Sequence, residues 1–206
     1  MPTSFDLFGT LVDASRPSDP AEAVAAALDA RGVTVPDDWT AAYREPHADV
    51  PAGAERALSS HVRDALASRG VGAPTEVVRE ATLAAFDQPV RRRDGALAAI
   101  EAAREAGRVA VLSNCSVPGL VERALDRAAL AGEFDAVETS VDCGWRKPDE
   151  RAFEAVADAL DAELNELVHV GDDPRTDGGV EAVGGRAVLV ADTPLVDVPD
   201  VLGAVA

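Results

Sequence analysis

At 206 residues with 47% hydrophobic content, the chain holds enough apolar material for one α/β core plus a smaller accessory unit, and it is not a disordered sequence. Its 37 acidic against 19 basic side chains give a formal charge of −18, a field that repels nucleic acid and anionic membrane surfaces. No apolar run approaches the roughly 20 residues needed to span a bilayer, and the first residues lack a charged-then-apolar leader pattern, so a cytoplasmic protein is expected.

Along the chain, TSFDLFGTLV (3–12) reads as a short apolar strand running into a Gly-Thr turn. Residues 14–90 read as helical and alanine-rich, broken at RGVTVPDD and RGVGAPTE, with Leu58, Val62, Ala65 and Leu66 on one face and no strand expected. From Asp94 the pattern changes to alternating helix and strand. Asp94 is predicted to cap a helix that carries Leu97 and Ile100 and ends at Gly107. The strand VAVLS (109–113) follows, then a helix with Val117, Leu120, Val121, Ala124 and Leu125 on one face, then a weaker strand near 134–139. Pro148 suits the first turn of a helix striped by Phe153, Val156, Ala157 and Leu160. LVHV (167–170), a helix to about Val183 and the strand AVLV (187–190) complete the series. Repeated units of this kind predict an α/β fold with a doubly wound parallel sheet, covered on both faces.

Ligands of such sheets bind beyond the carboxyl ends of the strands. Polar groups follow apolar runs directly at Asp6, at Ser113 and at Gly171-Asp172-Asp173. In FDLFGTLVD, Asp6 sets a carboxylate at the sheet's mouth, although a turn-closing aspartate would look the same. In VLSNCS, Ser113 and the backbone after it suit an anion near a helix start, or simply cap that helix. In GWRKPDERAFE, Lys147 stands just before a helix, where an ammonium offsets carboxylates and a bound anion. A solvated lysine is the ordinary alternative. It loses force because the chain uses arginine 18 times and lysine once. In HVGDDPRTD, Asp172, Asp173 and Asp177 form a pool of oxygen ligands suited to a hard cation such as magnesium, or a charged turn in an acid-rich chain.

The same bias bears on habitat. Acid-rich, lysine-poor and aromatic-poor composition (4% aromatic) is similar to that of proteins from very salty cell interiors. At about 1 M salt the Debye length falls to roughly 3 Å, so the self-repulsion is screened. A GC-rich genome would explain the arginines but not the acids. Cys115 and Cys143 form neither a disulfide framework nor a metal pair and read as small buried thiols.

Taken in order, FDLFGTLVD, VLSN, GWRKPD and HVGDD resemble the four motifs of the haloacid dehalogenase-like (HAD) superfamily, over residues 5–190. The resemblance implies a Rossmann-like core at 1–13 and 91–206, with 14–90 as an α-helical cap of the family's first type. It implies that Asp6 is the nucleophile of a covalent aspartyl intermediate, that Ser113 holds the transferring group, and that Lys147 steadies Asp6 and the phosphate. Thr10 and Asn114 would contact substrate. Mg²⁺ would be held by Asp6, the Phe8 carbonyl and Asp172, with Asp173 and Asp177 as further ligands or supports. The implied substrate is a small phosphorylated metabolite.

One position departs from the pattern. Phosphatases of this superfamily carry an acid two residues after the nucleophile, where this chain has Phe8. A phenylalanine transfers no protons, and such transfer is worth typically 10²–10⁴-fold. Metal-free 2-haloacid dehalogenases also have a non-acidic residue there and a second motif close to SNCS (113–116), but they lack the acidic pair kept here as Asp172 and Asp173. Acids converging on Asp6 without a cation repel it by roughly 4 kcal/mol at 4 Å and an effective dielectric of 20. Phosphoryl transfer is therefore the expected chemistry, carbon–halogen hydrolysis the alternative, and a catalytically quiet binding protein the third reading. Arg44 is a weak match to the arginine that dehalogenase caps supply. Tyr43, Arg44 and His47 are polar cap candidates more consistent with a solvated face. Oligomeric state is not encoded in any of these signals.

Overall fold

Every residue of β1 (Thr3–Phe5) is buried, and the rest of the molecule is built outward from this short central strand. In the computed structural model, which describes residues 1–204, the chain leaves β1 through a tight turn into β2 (Val12–Ala14). It then forms four helices: α1 (Pro20–Asp29), α2 (Trp39–Arg44), α3 (Leu58–Ala67) and α4 (Thr75–Phe86). It returns through β3 (Val90–Arg92), which pairs antiparallel with β2 in the register Val12↔Arg92 and Ala14↔Val90. The alternating half follows as α5 (Ala96–Ala106), β4 (Val109–Ser113), α6 (Leu120–Arg127), β5 (Ala136–Thr139), α7 (Ser140–Cys143) and α8 (Glu150–Ala159). β6 (Val168–Gly171), β7 (Arg186–Leu189) and α9 (Val198–Gly203) complete it.

The main sheet has the order β5-β4-β1-β6-β7 with all pairs parallel, the arrangement expected from the strand–helix alternation. β4 shows why its sequence is a continuous apolar run. Val109 and Val111 join Phe5, Val168 and Val170 in a cluster under α5, α6 and α9, while Ala110 and Leu112 join Phe153 and Val156 of α8 on the opposite face. A strand buried on both faces has no polar side to alternate with. Helices α1–α4 bury a third cluster of their own around Val24, Leu28, Trp39, Val62 and Leu66, and Leu58 and Phe86 pack against both this cluster and the sheet's. No helix among the described residues is long and apolar enough to cross a membrane.

Four local expectations change. The β2–β3 ribbon was not expected, because three residues per strand, with Arg91 and Arg92 in one of them, carry no apolar alternation. α5 is entered through Gly95 and not capped by Asp94: Gly95 has φ 87°, and a Cβ there would lie 2.7 Å from the Val196 backbone nitrogen, so the position demands glycine. α8 begins at Glu150, because the Asp149 carboxylate accepts from the Arg151 N–H and caps the helix one residue after Pro148. The segment Asp177–Val183 is a 3₁₀ helix, in keeping with the weak α-helical preference of Gly178-Gly179.

Candidate active site

Parallel register brings the ends of three strands together. Phe5 lies opposite Val111 of β4 and Val170 of β6, so Asp6, Ser113 and Asp172 all emerge at one edge of the sheet. The Asp6 N–H donates to the Val170 carbonyl at 2.8 Å, which fixes where its side chain begins. The chain then folds back, with the Leu7 carbonyl accepting from the N–H groups of Thr10, Leu11 and Val12. Gly9 sits in this turn at φ 95°, and a Cβ on it would lie 2.5 Å from Asp172 Oδ2. Only glycine allows the first-strand turn and the Asp172 carboxylate to approach so closely. The buried Thr10 hydroxyl faces Asp172 Oδ1 at 3.5 Å. From β3's end, Arg93 donates to the Gly9 carbonyl and lies 3.7 Å from Asp13, bracing the turn from outside.

Lys147 is the hub. Its side chain is 1% exposed, and its Nζ donates to Asp6 Oδ1 (2.9 Å), the Leu112 carbonyl (2.7 Å) and Asp177 Oδ1 (2.7 Å). Three donors thus meet three acceptors. Asp177 Oδ2 accepts from the Asp173 N–H at 2.9 Å, and a Cβ on Gly171 would collide with Asp177, so this carboxylate is packed tightly under β6. His169, wholly buried on β6, lies between Ser4 Oγ (2.7 Å from Nδ1) and Asp177 Oδ1 (3.1 Å from Nε2). The arrangement assigns a neutral imidazole that donates from Nε2 to Asp177 and accepts the Ser4 hydroxyl at Nδ1.

Electrostatics follow from this packing. Burial pushes the Asp6 carboxyl above its ordinary range; Lys147 pulls it back in part, and Asp177 adds to the rise. Burial and the Asp177 charge raise Asp172 as well, although that residue is exposed at the mouth. Asp177 goes the other way: burial favours its neutral form, but the His169 hydrogen bond and the Lys147 charge outweigh it and hold the carboxylate ionised. Burial, then Lys147, lowers His169, in line with its neutral state. One ammonium therefore serves three carboxylates. Asp6, Asp172 and Asp177 each offer an oxygen within 4.8 Å of the others, and this set suits a hard divalent cation.

The other sequence-derived candidates separate. Ser113 is 1% exposed at the end of β4. Asn114 donates from Nδ2 to the Lys147 carbonyl (3.0 Å) and accepts the Lys147 N–H (2.8 Å), so it clamps the lysine loop while lining the adjoining cleft. Phe8 also lines that cleft. Asp173 stands apart from the acid cluster and binds the exposed Arg175. Cys115 is buried, and its thiol is pushed up to about 11 by that burial, an inert state. Arg44 is outside the cleft, and His47 and His61 stack on one another in the helical unit with each Nε2 against a backbone carbonyl.

The cleft, about 340 Å³, runs between the sheet's mouth and the helical unit. Phe8, Arg16, Glu55, Phe86, Asn114 and Val117 are among the residues that line it. The loop before α3 is stitched to the core: Glu55 N–H to the Gly144 carbonyl, Arg146 N–H to the Gly53 carbonyl, and Leu58 N–H to the Ser116 carbonyl, each at 2.8 Å. Glu55 and His169 had not been singled out from the sequence. A lone histidine inside the apolar run LVHV looks like a packing residue, and nothing local marks Glu55.

A model of the haloacid dehalogenase-like hydrolases matches residues 4–180. The chain belongs to that family. It is 36% identical over 100 residues to haloacid dehalogenase-like hydrolase domain-containing protein 3 of Bos taurus, a match spanning 48% of this chain and 39% of that protein. Among solved structures, a 2-haloacid dehalogenase from Pseudomonas syringae superposes with a TM-score of 0.67 at 20% identity, covering 100% of this chain and 99% of that one. A predicted phosphoglycolate phosphatase from Haemophilus somnus gives 0.55 at 18% identity, covering 99% and 97%. At these identities the likeness is one of fold, and it embraces HAD enzymes of both chemistries.

Proposed function

We propose that this HAD-like hydrolase is a Mg²⁺-dependent phosphatase of small phosphorylated metabolites, with residues 14–90 serving as its cap. The observation that carries the reading is the convergence of Asp6, Asp172 and Asp177 within 4.8 Å around a single ammonium. Their charge exceeds what Lys147 neutralises, so the donor set fits a divalent cation. Mg²⁺ held by Asp6, Asp172 and the Phe8 carbonyl would offset the repulsion between the nucleophile and phosphoryl oxygens. Lys147 holds Asp6 Oδ1 in place and offsets in part the rise that burial imposes on its carboxyl. Asp177 holds Lys147 and is itself held by His169, the Thr10 hydroxyl faces Asp172, and Asn114 keeps the Lys147 loop beside Ser113. Arg16, which makes no ion pair or side-chain hydrogen bond among the described residues, and Arg146 line the cleft and offset the chain's negative field for an anionic substrate.

The test is release of phosphate from p-nitrophenyl phosphate in molar KCl. Turnover should require Mg²⁺ and vanish in Asp6→Asn, while undiminished turnover in excess EDTA would refute the assignment. Phe8 favours a second reading, metal-free 2-haloacid hydrolysis. It predicts halide release from 2-chloropropionate in EDTA, and a long incubation at high enzyme with no halide removes it.

A further inference from the structure

We propose that residues 53–58 of the helical unit seat Lys147: they hold the loop 144–149 where its ammonium meets Asp6 and Asp177, with Gly53 as the positioning residue. The inference goes beyond the phosphatase reading, because both hydrolyses weighed above use an oriented Asp6. The loop 144–149 joins α7 to α8 and contains no helix or strand of its own. Its backbone is held from two sides. The Gly144 carbonyl accepts the Glu55 N–H and the Arg146 N–H donates to the Gly53 carbonyl, both at 2.8 Å, around an antiparallel bridge between Ala54 and Trp145. At Lys147 itself the Asn114 side chain takes the backbone N–H (2.8 Å) and the carbonyl (3.0 Å).

The second support depends on the same segment. The Leu58 N–H donates to the Ser116 carbonyl at 2.8 Å, two residues beyond Asn114. Glu55 Oε2 accepts the Ser140 hydroxyl at 2.8 Å, and that hydroxyl accepts the Cys115 N–H at 2.9 Å. Residues 53–58 are thus bonded to both loops that frame the lysine, 113–116 directly and through Ser140, and 144–149 directly. A displacement of the helical unit from the core would release Gly144, Arg146 and Ser116 together, and the backbone support of Lys147 with them.

Gly53 sets how closely the two segments approach. It has φ 80°, and a Cβ on it would lie 2.6 Å from Asp149 Oδ2. Asp149 has little freedom to retreat. Its carboxylate accepts the Arg151 N–H at 3.1 Å to cap α8, and Arg151 Nε and Nη2 grip its two oxygens at 2.8 and 2.9 Å. A side chain at position 53 therefore lifts the segment off the lysine loop. Gly70 supplies the control. It lies just after α3 in the same helical unit, with φ 73° and nothing within 4 Å of a Cβ. Alanine meets a similar backbone strain at either position, and only at 53 does it strike the loop that carries Lys147.

The experiment uses the lone lysine. Full-length protein grown on lysine labelled with ¹⁵N at Nζ carries a single labelled ammonium. Exchange of its hydrogens with water, read by NMR in molar KCl without substrate, therefore reports Lys147 alone. In the parent three acceptors hold these hydrogens, and exchange should be slow. Gly53→Ala is expected to speed exchange about tenfold or more, and Gly53→Val further still, while Gly70→Ala stays within about threefold of the parent. Should Gly53→Val fail to fold, Gly53→Ala decides alone. The proposal is overturned if Gly53→Ala exchanges within about threefold of the parent, or if Gly70→Ala is accelerated equally, which would trace the effect to a general loss of stability. A parent ammonium that exchanges as freely as that of lysine in solution overturns the seat itself. The signal needs no turnover, so a parent without Mg²⁺-dependent phosphatase activity refutes the phosphatase reading and not the role of Gly53.

Discussion

Replacing Lys147 by methionine keeps much of the side chain's length and volume and removes its charge. In the native protein the ammonium lies 2.9 Å from Asp6 and 2.7 Å from Asp177, with 1% of the side chain exposed. Without it, two buried carboxylates with oxygens no more than 4.8 Å apart are left facing each other. At an effective dielectric of 20 their repulsion is about 3.5 kcal/mol, and loss of one partner from a buried ion pair typically costs about 3–5 kcal/mol. Lys147→Met is therefore expected to lose about 3–5 kcal/mol at pH 8, measured by urea unfolding in molar KCl with EDTA present. The sign of its pH dependence is also fixed. In the parent, Asp177 is depressed, so its contribution is present at neutral pH and disappears as pH falls through the folded value. In the variant Asp6, already raised by burial, loses the charge that lowers it, and its folded form binds protons more tightly than the unfolded chain. Acidification then stabilises the variant, so the deficit should shrink from pH 8 to pH 5. A deficit below about 1 kcal/mol, or one equal at both pH values, would refute the hub role.

Two further outcomes probe the cleft. Arg16→Gln removes a charge that lines the cleft and is not held by any partner among the described residues, so KM for an aryl phosphate should rise about 5–10-fold with kcat within twofold; a fall in kcat with KM unchanged would place Arg16 elsewhere in the reaction. Phe8→Asp supplies a proton donor beside Asp6, and turnover of alkyl phosphates, which need leaving-group protonation, should increase about tenfold or more. Because Phe8 packs against the sheet's apolar cluster, a stability loss of about 1–3 kcal/mol should accompany it. Slower turnover of alkyl and aryl phosphates alike in a folded Phe8→Asp would count against the metal and nucleophile being set up independently of this position.

The parallel sheet was legible because its strands are buried on both faces and leave continuous apolar runs, VAVLS ending in Ser113 and LVHV leading through Gly171 to Asp172. The same burial hid His169. Within a short apolar run a single histidine looks like a packing residue, and only the Ser4–His169 register across β1 and β6 reveals a hydrogen-bonded chain leading to Asp177. The β2–β3 ribbon was invisible for the opposite reason. Its register joins positions 78 residues apart (Asp13↔Arg91), and three-residue strands carry no periodicity. Glu55 combines both difficulties: it lies in a loop without pattern, and its partner Ser140 is 85 residues away.

What the sequence did mark was a choice of cation, and the geometry gives the reason for it. A composition that uses arginine 18 times and lysine once pushes every basic position toward guanidinium. At position 147 the acceptors are two carboxylate oxygens and the Leu112 carbonyl, all converging on one atom within 2.9 Å. A compact ammonium directs its three hydrogens to such a set. A planar guanidinium spreads five donors over a larger fork and would need both more room and a different arrangement of acceptors. The buried space around Lys147 offers neither, since His169 lies 3.3 Å from Nζ and Asp177 is wedged against Gly171. The lone lysine is thus a consequence of point-like charge placement: it must neutralise Asp177 and hold Asp6 Oδ1 at the same time, and that double task fixes both its chemistry and its position in the fold.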